Sequence, residues 1–297
     1  MPKILSADKT GLLKKASLLT ISASTLAEQM RNGNFRSLYR GQGIEFDSVR
    51  EYLNGDNVRA IDWNVTARMG KPFIKQYEED RDLNVFFVLD RSASMFLGSD
   101  GKSRLECASE AAALLLLAAS MNGSSVGAVF FDGKIRFSAP PKSGPEQQML
   151  ILSHLDELES SVENGSVLSG ALAGATKLLR KRSLVFVISD FRSAGYQQNL
   201  ARLAIKNDVV AIRITDPTDA SLSEIGSLLF SDVESPLQMR LPTLSKKFKQ
   251  AWLEENRRRL DKWSEHCIRH GIHPLQLSTT EDPALVLSRF FLRRAKR

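Results

Sequence analysis

Two patterns of apolar and polar positions divide the chain, and the change comes close to residue 82. In the first part, apolar residues recur at helical spacing, and two shorter stretches alternate between apolar and polar residues. Helical spacing is typical of an amphipathic helix, and alternation is typical of a half-buried strand. For residues 1–81 we predict a helix at 10–33, strands at 44–53 and 72–80, and between the strands a helix capped by Asp56 that runs through Arg68.

The second part, residues 82–297, alternates short apolar runs with longer helical patterns. Runs that are apolar at nearly every position are typical of strands buried on both faces. The predicted strands lie at 83–89, 125–131, 135–138, 184–189, 209–214 and 272–277, and the predicted helices at 104–121, 145–159, 168–181, 196–206, 245–270 and 282–294. We therefore expect an α/β fold, an open doubly wound, mainly parallel sheet with helices on both faces, and a hairpin insertion near 227–241.

Composition places the chain among globular proteins, with 42% hydrophobic and 25% charged residues in 297. The two cysteines, Cys107 and Cys267, are too few for a disulfide framework and favour a reducing compartment. The longest aliphatic run, 111–119, has nine residues, whereas a membrane-spanning helix needs about 20. We therefore expect a cytoplasmic protein without membrane insertion.

The net charge of +7 is carried by the C-terminal segment. Residues 246–297 hold thirteen Lys or Arg and six Asp or Glu, and the remainder of the chain is neutral. Such a segment could meet nucleic acid, anionic lipid or an acidic protein surface, or it could be a solvated helix face with a basic tail. We favour the solvated face and do not expect nucleic acid as a partner, because no base-reading motif accompanies the charge.

Five candidate ligand residues follow predicted strands or precede a predicted helix. Asp90, Ser92 and Ser94 come directly after the first long apolar run, Asp190 follows a later run, and Ser166 lies in a loop between them. In doubly wound sheets, ligands bind beyond the carboxyl ends of the strands. Carboxylate and hydroxyl oxygens without His or Cys suit a hard divalent cation. We therefore predict a Mg²⁺ site, with Mn²⁺ or Ca²⁺ as alternatives.

The segments that carry these residues, DRSAS, NGSVLSGAL and VISD, resemble the three metal-site loops of von Willebrand factor A domains. In that superfamily the loops form the metal-ion-dependent adhesion site, or MIDAS. The resemblance implies a von Willebrand factor A-like fold, with Asp90, Ser92 and Ser94 in the first loop, Ser166 in the second and Asp190 in the third. The second loop normally carries Thr, and Ser166 keeps the hydroxyl without the methyl group.

A longer resemblance covers most of the chain from about residue 41 onward. The stretch GIEFDSVREYLNGDNVRAIDWNVTARMGKPFIKQYEEDRDLNVFFVLDRSASM and the end GIHPLQLSTTEDPALVLSRFFLRR are similar to the domain of unknown function 58 family. Members of that bacterial family typically accompany a MoxR-type AAA+ ATPase, in chaperone-like maturation or remodelling of other proteins. The resemblance implies a non-enzymatic, metal-dependent adaptor that works with such an ATPase on an unidentified client protein.

Mixed charges beside an aromatic residue mark the segment between residues 45 and 80. The residues that we single out are Arg50, Asp56, Arg59, Trp63 and Arg68. They could form a contact surface for the ATPase, or an internal network of ion pairs and helix caps. We favour the internal network, because paired Arg and Asp side chains at turns mostly hold local structure.

An enzymatic alternative uses the same metal loops for a Mg²⁺-dependent hydrolase or phosphotransferase, since Mg²⁺ can polarise a phosphoryl group. The sequence offers no candidate general base beside the ligand residues and no positioned His. We therefore expect a protein without catalytic residues, and keep hydrolysis and nucleic-acid binding as alternative hypotheses.

Overall fold

The computed structural model describes residues 16–32, 44–53, 56–79, 83–99, 101–157, 165–220, 227–231, 238–242 and 245–295. Its helices are α1 (Ala16–Asn32), α2 (Trp63–Met69), α3 (Arg104–Met121), α4 (Pro145–Asp156), α5 (Leu168–Leu178), α6 (Gln197–Lys206), α7 (Pro217–Ala220), α8 (Lys246–Arg269) and α9 (Pro283–Ala295). Its strands are β1 (Ile44–Glu51), β2 (Phe73–Glu79), β3 (Asn84–Asp90), β4 (Ser125–Phe131), β5 (Ile135–Lys142), β6 (Ser183–Ser189), β7 (Asp208–Thr215), β8 (Ser227–Ser231), β9 (Gln238–Pro242) and β10 (His273–Ser278).

The central sheet has six strands in the order β10-β7-β6-β3-β4-β5. All neighbouring pairs are parallel except β4 and β5, which are antiparallel. The chain starts in the middle with β3, builds outward through β4 and β5, and then returns to the other side of β3 with β6. The strand order therefore reverses between β3 and β6, which confirms the predicted α/β architecture and places a switch point at their carboxyl ends.

Alternate residues of β3 enter two separate cores, one on each face of the sheet. Val85, Phe87 and Leu89 pack with α1, α3 and α9, whereas Phe86 and Val88 pack with α5, α6 and α8. Because successive side chains of a strand point to opposite faces, a strand covered on both sides must be apolar at every position. This requirement explains the unbroken apolar runs in the sequence.

Helix α3 lies between the sheet and two further helices, so it is apolar on nearly every face. Ser103 starts it with a capping box, in which its hydroxyl accepts from the Glu106 amide and the Glu106 carboxylate accepts from the Ser103 amide. Helix α1 packs on α3 and α9, and the Asn122 side chain donates to the carbonyl of Ala27 at 2.8 Å. The domain boundary at residue 81 stays a prediction, but α1 shares the core of the residues after it.

The small unit before the main sheet differs from the prediction in its helix. The two predicted strands are present as β1 and β2, which pair antiparallel, but a 3₁₀ turn at Val58–Ala60 precedes α2. The cap of α2 is Asp62, whose carboxylate accepts the amides of Asn64 and Val65 at 3.0 and 3.3 Å. The prediction that Asp56 caps this helix was therefore wrong.

Where the predicted element ends lie within the described residues, they agree with the structure to within a few residues. The predicted start of the first helix at residue 10 and the predicted end of a later helix at residue 159 lie outside the described residues. Strand β5 is longer than expected and runs through Pro140 and Pro141, which is tolerated because it is the edge strand and has no further neighbour to bond. The hairpin predicted near 227–241 is confirmed by the antiparallel pair β8 and β9. In the described ranges no helix combines the length and the apolar character needed to cross a membrane. The cellular location stays a prediction.

Candidate metal centre

A first group of oxygen atoms lies at the carboxyl end of β3. Asp90 is the last residue of the strand and is 1% exposed, and the backbone amide of Ser92 donates to its Oδ1 at 2.9 Å. The hydroxyls of Ser92 and Ser94 lie 3.3 Å apart, and both residues are buried. A 3₁₀ turn over Ala93–Phe96 follows the strand and holds the two hydroxyls together. The first predicted loop therefore has its three ligand residues side by side.

Strand β6 brings a second carboxylate to the same edge of the sheet. Ser189 donates its hydroxyl to Oδ2 of Asp90 at 2.7 Å and accepts the amide of Phe191 at 2.9 Å. Asp190 is 3% exposed, and its Oδ1 accepts the amide of Arg192 at 3.1 Å. The Oδ2 of Asp190 has no hydrogen bond within the part of the chain that the structure describes, and it lies 3.6 Å from Nε of Arg192.

The backbone bends sharply after Asp190. Phe191 has φ of 54°, in the left-handed region that a bulky side chain rarely adopts. Its ring packs against Tyr196 and Trp263, with ring centroids 5.5 and 5.4 Å away. This packing offsets the cost of the unusual backbone conformation, and local strain of this kind concentrates at functional sites.

The loop that holds Ser166 is attached to the end of β4. The amide of Val167 donates to the carbonyl of Asp132 at 2.9 Å, directly after the strand, and Phe131 is the register partner of Asp90. The hydroxyl oxygen of Ser166 is buried and has no hydrogen bond to any residue that the structure describes. The structure therefore brings all five sequence-predicted ligand residues to the ends of three adjacent strands.

The pKa of Asp90 indicates that this carboxylate lacks a positive charge close to it. Burial, followed by the charge of Asp190, raises the pKa of Asp90 to about 7, against the opposing effect of its bonds from Ser189 and Ser92. A negative charge beside a buried carboxylate such as Asp90 disfavours its ionised form unless a cation compensates it. The pair is therefore well placed to gain free energy from a bound positive ion.

The donor set fits a hard divalent cation. It consists of oxygen atoms only, and two of them, Oδ2 of Asp190 and Oγ of Ser166, are buried without hydrogen bonds among the described residues. Buried polar atoms in folded proteins are nearly always paired, so such orphans indicate a missing partner. Across the described ranges, no three His, Cys, Asp or Glu side chains cluster to hold a metal, so a centre here depends on the serine hydroxyls as well.

Comparison with protein-family models matches residues 48–262 to the family described as "Protein of unknown function DUF58". The chain belongs to the DUF58 family. The matched span includes all five candidate ligands and most of the unit formed by β1, α2 and β2. The family resemblance seen in the sequence is thereby confirmed.

Similar DUF58 relatives include the uncharacterized proteins Mb1516 of Mycobacterium bovis and Rv1480 of Mycobacterium tuberculosis. Each is 30% identical to this chain over 222 residues, which is 73% of this chain and 69% of the relative. Similar solved structures include an aerotolerance-related membrane protein from Bacteroides fragilis, at TM-score 0.47 and 18% identity over 72% of this chain and 98% of that one. The VWA domain of SpRpn10 follows with TM-score 0.42 and 12% identity, over 69% and 93% of the two chains.

A charged network outside the candidate ligands was missed by the sequence analysis. Asp219 accepts from Arg104 and from Arg192, and Arg104 also donates to the carbonyls of Ser94 and Leu97. The network therefore ties the loops after β3, β6 and β7 together around the site. The signal available was the segment DPTD directly after the fourth long apolar run, where a strand end again meets acidic residues. Ser189 was missed because its position within an apolar run concealed its hydroxyl.

The residues predicted to bind a partner divide into two groups in this DUF58 chain. Arg50 and Asp56 form a two-pronged ion pair with both N–O distances at 2.8 Å, and Asp56 also accepts the amide of Leu53. These contacts hold the turn after β1. Trp63, in contrast, is 68% exposed, and Arg68 in the last turn of α2 is exposed as well. The side chain of Arg59 lies outside the described residues.

The basic C-terminal helix is partly neutralised within itself. In α8, Glu255 accepts from Arg258 and Arg259 at 2.7 and 2.9 Å. Hydrogen bonds from these two arginines lower the pKa of the Glu255 carboxyl to about 2. The pattern is that of a solvated face with ion pairs one turn apart, the reading favoured by the sequence.

Proposed function

We propose that this DUF58 protein is a metal-dependent protein-binding adaptor and not an enzyme. Asp90, Ser92, Ser94, Ser166 and Asp190 would hold Mg²⁺, with Mn²⁺ or Ca²⁺ as alternatives. The observation that carries the proposal is the buried pair Asp90 and Asp190, in which one oxygen atom lacks any hydrogen bond among the described residues.

Hydrogen bonds orient the two carboxylates and leave one of their oxygen atoms, Oδ2 of Asp190, without a hydrogen bond among the described residues. The Ser92 amide and the Ser189 hydroxyl hold the two oxygens of Asp90, and the Arg192 amide holds Oδ1 of Asp190. A bound Mg²⁺ would supply a partly dehydrated positive charge, to which an acidic side chain of a partner can bind. Binding of the partner would then depend on the metal.

Support for a role without catalysis comes from the groups around the two carboxylates. Among the described residues, the groups bonded to Asp90 and Asp190 are backbone amides, a serine hydroxyl and Arg192. None of these is a good general base at neutral pH. The groups here that could accept a proton are therefore the two carboxylates themselves, which are the ones proposed to hold the ion.

The proposed partner is a MoxR-type AAA+ ATPase, and the ATPase would act on a client protein that this chain selects or presents. The support for this step is the membership in the DUF58 family together with the resemblance described above. Hydrolysis of ATP would belong to the partner.

Metal binding is tested by titrating Mg²⁺ into the EDTA-treated protein by calorimetry and by following the unfolding temperature. We expect saturable binding that raises the unfolding temperature of the wild type and is lost in Asp90→Asn and Asp190→Asn. Asp261→Asn is the matched control, because Asp261 is an exposed carboxylate of α8. Equal stabilisation of all four proteins by Mg²⁺ would contradict the proposed ligand set.

Partner binding is tested by capture from native cell extract on the immobilised wild type in Mg²⁺ and in EDTA. We expect an AAA+ ATPase to be retained in Mg²⁺, and to be lost in EDTA and with Asp90→Asn. If the ATPase is retained equally in all samples, its contact lies outside the metal centre, on a surface such as the one around Trp63. Failure to retain any ATPase would remove the proposed partner while leaving the metal site intact.

A further inference from the structure

A cavity of about 830 Å³ lies beside the candidate metal centre, beyond the carboxyl ends of β6, β7 and β10. Asp190 and Phe191 form its wall toward the metal centre, and Trp252, Leu260 and Trp263 of α8 form the opposite wall. The volume falls within the range of roughly 300–1,000 Å³ that is usual for ligand pockets. Asp190 therefore belongs both to the candidate metal centre and to the cavity.

The acidic residues that line the cavity already have partners. Asp219 is paired with Arg104 and Arg192. Burial alone would raise the pKa of Asp216, but hydrogen bonds from Thr218, Thr279 and Ser99 outweigh it and hold the pKa below its ordinary value. Oδ2 of Asp190 lies 3.6 Å from Nε of Arg192, so each acidic residue of the lining has a cation or hydrogen-bond donors of the protein beside it.

The basic residues of the lining are compensated less completely. Arg192 forms an ion pair with Asp219, and Arg259 forms an ion pair with Glu255. Arg213 of β7 and Lys262 at the exposed side of α8 line the cavity, and neither side chain has an ion pair or hydrogen bond with any residue that the structure describes. The charges of Asp190 and Asp219 act on Arg213 without a direct contact. The lining of the cavity thus holds four basic residues against three acidic ones.

Arg213 is the more informative of these two cations, because it is half-buried. Its guanidinium carbon lies 5.5 Å from the centroid of the Trp263 ring, so one face of the planar group rests on the indole. This cation–π contact occupies one face of the guanidinium. The N–H donors lie along the edges of the planar group and take no part in the contact. The nitrogen atoms of Arg213 are not among the buried unpaired atoms of the described residues, so they are open to the cavity, where a carboxylate can accept from two of them at once.

We propose that the cavity binds an acidic peptide segment, with a carboxylate paired to Arg213 and a neighbouring side chain packed between Trp252 and Trp263. The inference deepens the proposed function and rests on it for the ligand being a protein. A partner segment that places one acidic side chain at the metal centre would also pass over the cavity, because Asp190 borders both. Arg213 would then select partners that carry a second acidic residue close to the first.

The test uses an anionic aromatic probe, 8-anilinonaphthalene-1-sulfonate, titrated into the protein in EDTA and followed by fluorescence. We expect binding at one site that weakens at least tenfold in Arg213→Met. Arg257→Met, which removes an exposed arginine of α8, is the matched control and should bind like the wild type. The neutral analogue N-phenyl-1-naphthylamine should bind wild type and Arg213→Met alike, and equal sulfonate binding by the two proteins would overturn the assignment.

Arg213→Lys provides a second variant if Arg213→Met unfolds. It keeps the positive charge but cannot donate two parallel hydrogen bonds to one carboxylate. An intermediate loss of affinity is expected for it, and unchanged affinity would overturn the role of the guanidinium. Circular dichroism establishes that each variant is folded.

The source of the carboxylate is tested by displacement of the bound probe. An acetylated hexaglutamate peptide should displace it, whereas the same concentration of carboxyl groups supplied as free glutarate should not. Displacement by glutarate alone, or by neither compound, would overturn the peptide assignment. Because the titration is done in EDTA, failure here leaves the metal proposal untouched, and loss of Mg²⁺ binding leaves this result in place.

Discussion

Replacing Asp90 with Asn should stabilise the metal-free protein at pH 8 and stabilise it much less at pH 5. In the folded chain, burial and the charge of Asp190 raise the pKa of Asp90 to about 7, whereas a free Asp side chain has a pKa of about 3.9. The folded state therefore holds a proton that the unfolded state has released between about pH 4 and pH 7. Because the folded state binds more protons, raising the pH through this window lowers the free energy of unfolding.

The size of the effect follows from the two pKa values of Asp90. At about 1.36 kcal/mol for each pH unit, the raised pKa of Asp90 costs the folded state about 4 kcal/mol at pH 8 and between about 1 and 2 kcal/mol at pH 5. The free-energy difference between wild type and Asp90→Asn should therefore change by about 3 kcal/mol between these pH values. The amide fits the site, because its oxygen can accept from the Ser92 amide and its nitrogen can donate to the Ser189 hydroxyl.

The assay is urea unfolding in EDTA at pH 5 and pH 8, with Asp261→Asn as the control for loss of an exposed carboxylate. The wild type should regain stability at pH 8 when Mg²⁺ is added, by about 2.7 kcal/mol at a free concentration of 100 times Kd, and Asp90→Asn should not. If wild type and Asp90→Asn differ by the same amount at both pH values, the buried carboxylate pair is not the source of strain. That result would remove the main physical argument for a cation in this site.

Ser166→Ala should weaken Mg²⁺ binding in calorimetry yet change the free energy of unfolding by no more than about 0.5 kcal/mol, since its hydroxyl loses no hydrogen bond to a described residue. Trp63→Ala should leave the unfolding temperature unchanged, because the side chain is 68% exposed, and lower ATPase capture only if the unit around α2 contacts the partner. Ser103→Ala should cost about 1 kcal/mol in urea unfolding by removing the capping box of α3. Duplex DNA should show no retention in filter binding at low salt, because Glu255 already pairs with two arginines of α8.

The main sheet could be predicted from the sequence because its strands are buried on both faces. Burial on both faces forces an unbroken apolar run, and such runs stand out against the amphipathic helices between them. The site residues Asp90 and Asp190 could be found for a related reason. The carboxyl ends of parallel strands meet at one edge, so polar residues directly after two such runs must lie close together.

Contacts between residues that are distant in the chain could not be predicted in this way. Arg104 begins a helix and Asp219 follows a strand more than a hundred residues later. The acidic segment after that strand indicates a possible site, but nothing in the pattern shows that the two side chains pair. The prediction of the residue that caps α2 failed for a local reason. Both Asp56 and Asp62 precede helix-forming residues, and only the 3₁₀ turn between them decides which carboxylate reaches a free amide.

The polar atoms that the fold leaves unpaired are not spread evenly over the molecule. Seven buried side-chain atoms of the described residues lack a hydrogen bond, and five belong to residues around the carboxyl edge of the sheet: Arg104, Ser166, Asp190, Ser193 and Trp263. A folding sequence normally satisfies its buried polar groups, and natural proteins break that rule mainly at functional sites. Two buried oxygen atoms without hydrogen bonds at the candidate metal centre, and the guanidinium of Arg213 without a hydrogen bond to a described residue in the cavity next to it, are complementary to two different ligands, a cation and a carboxylate. A partner with an acidic segment, held through a bound metal ion and through Arg213, would satisfy both at once.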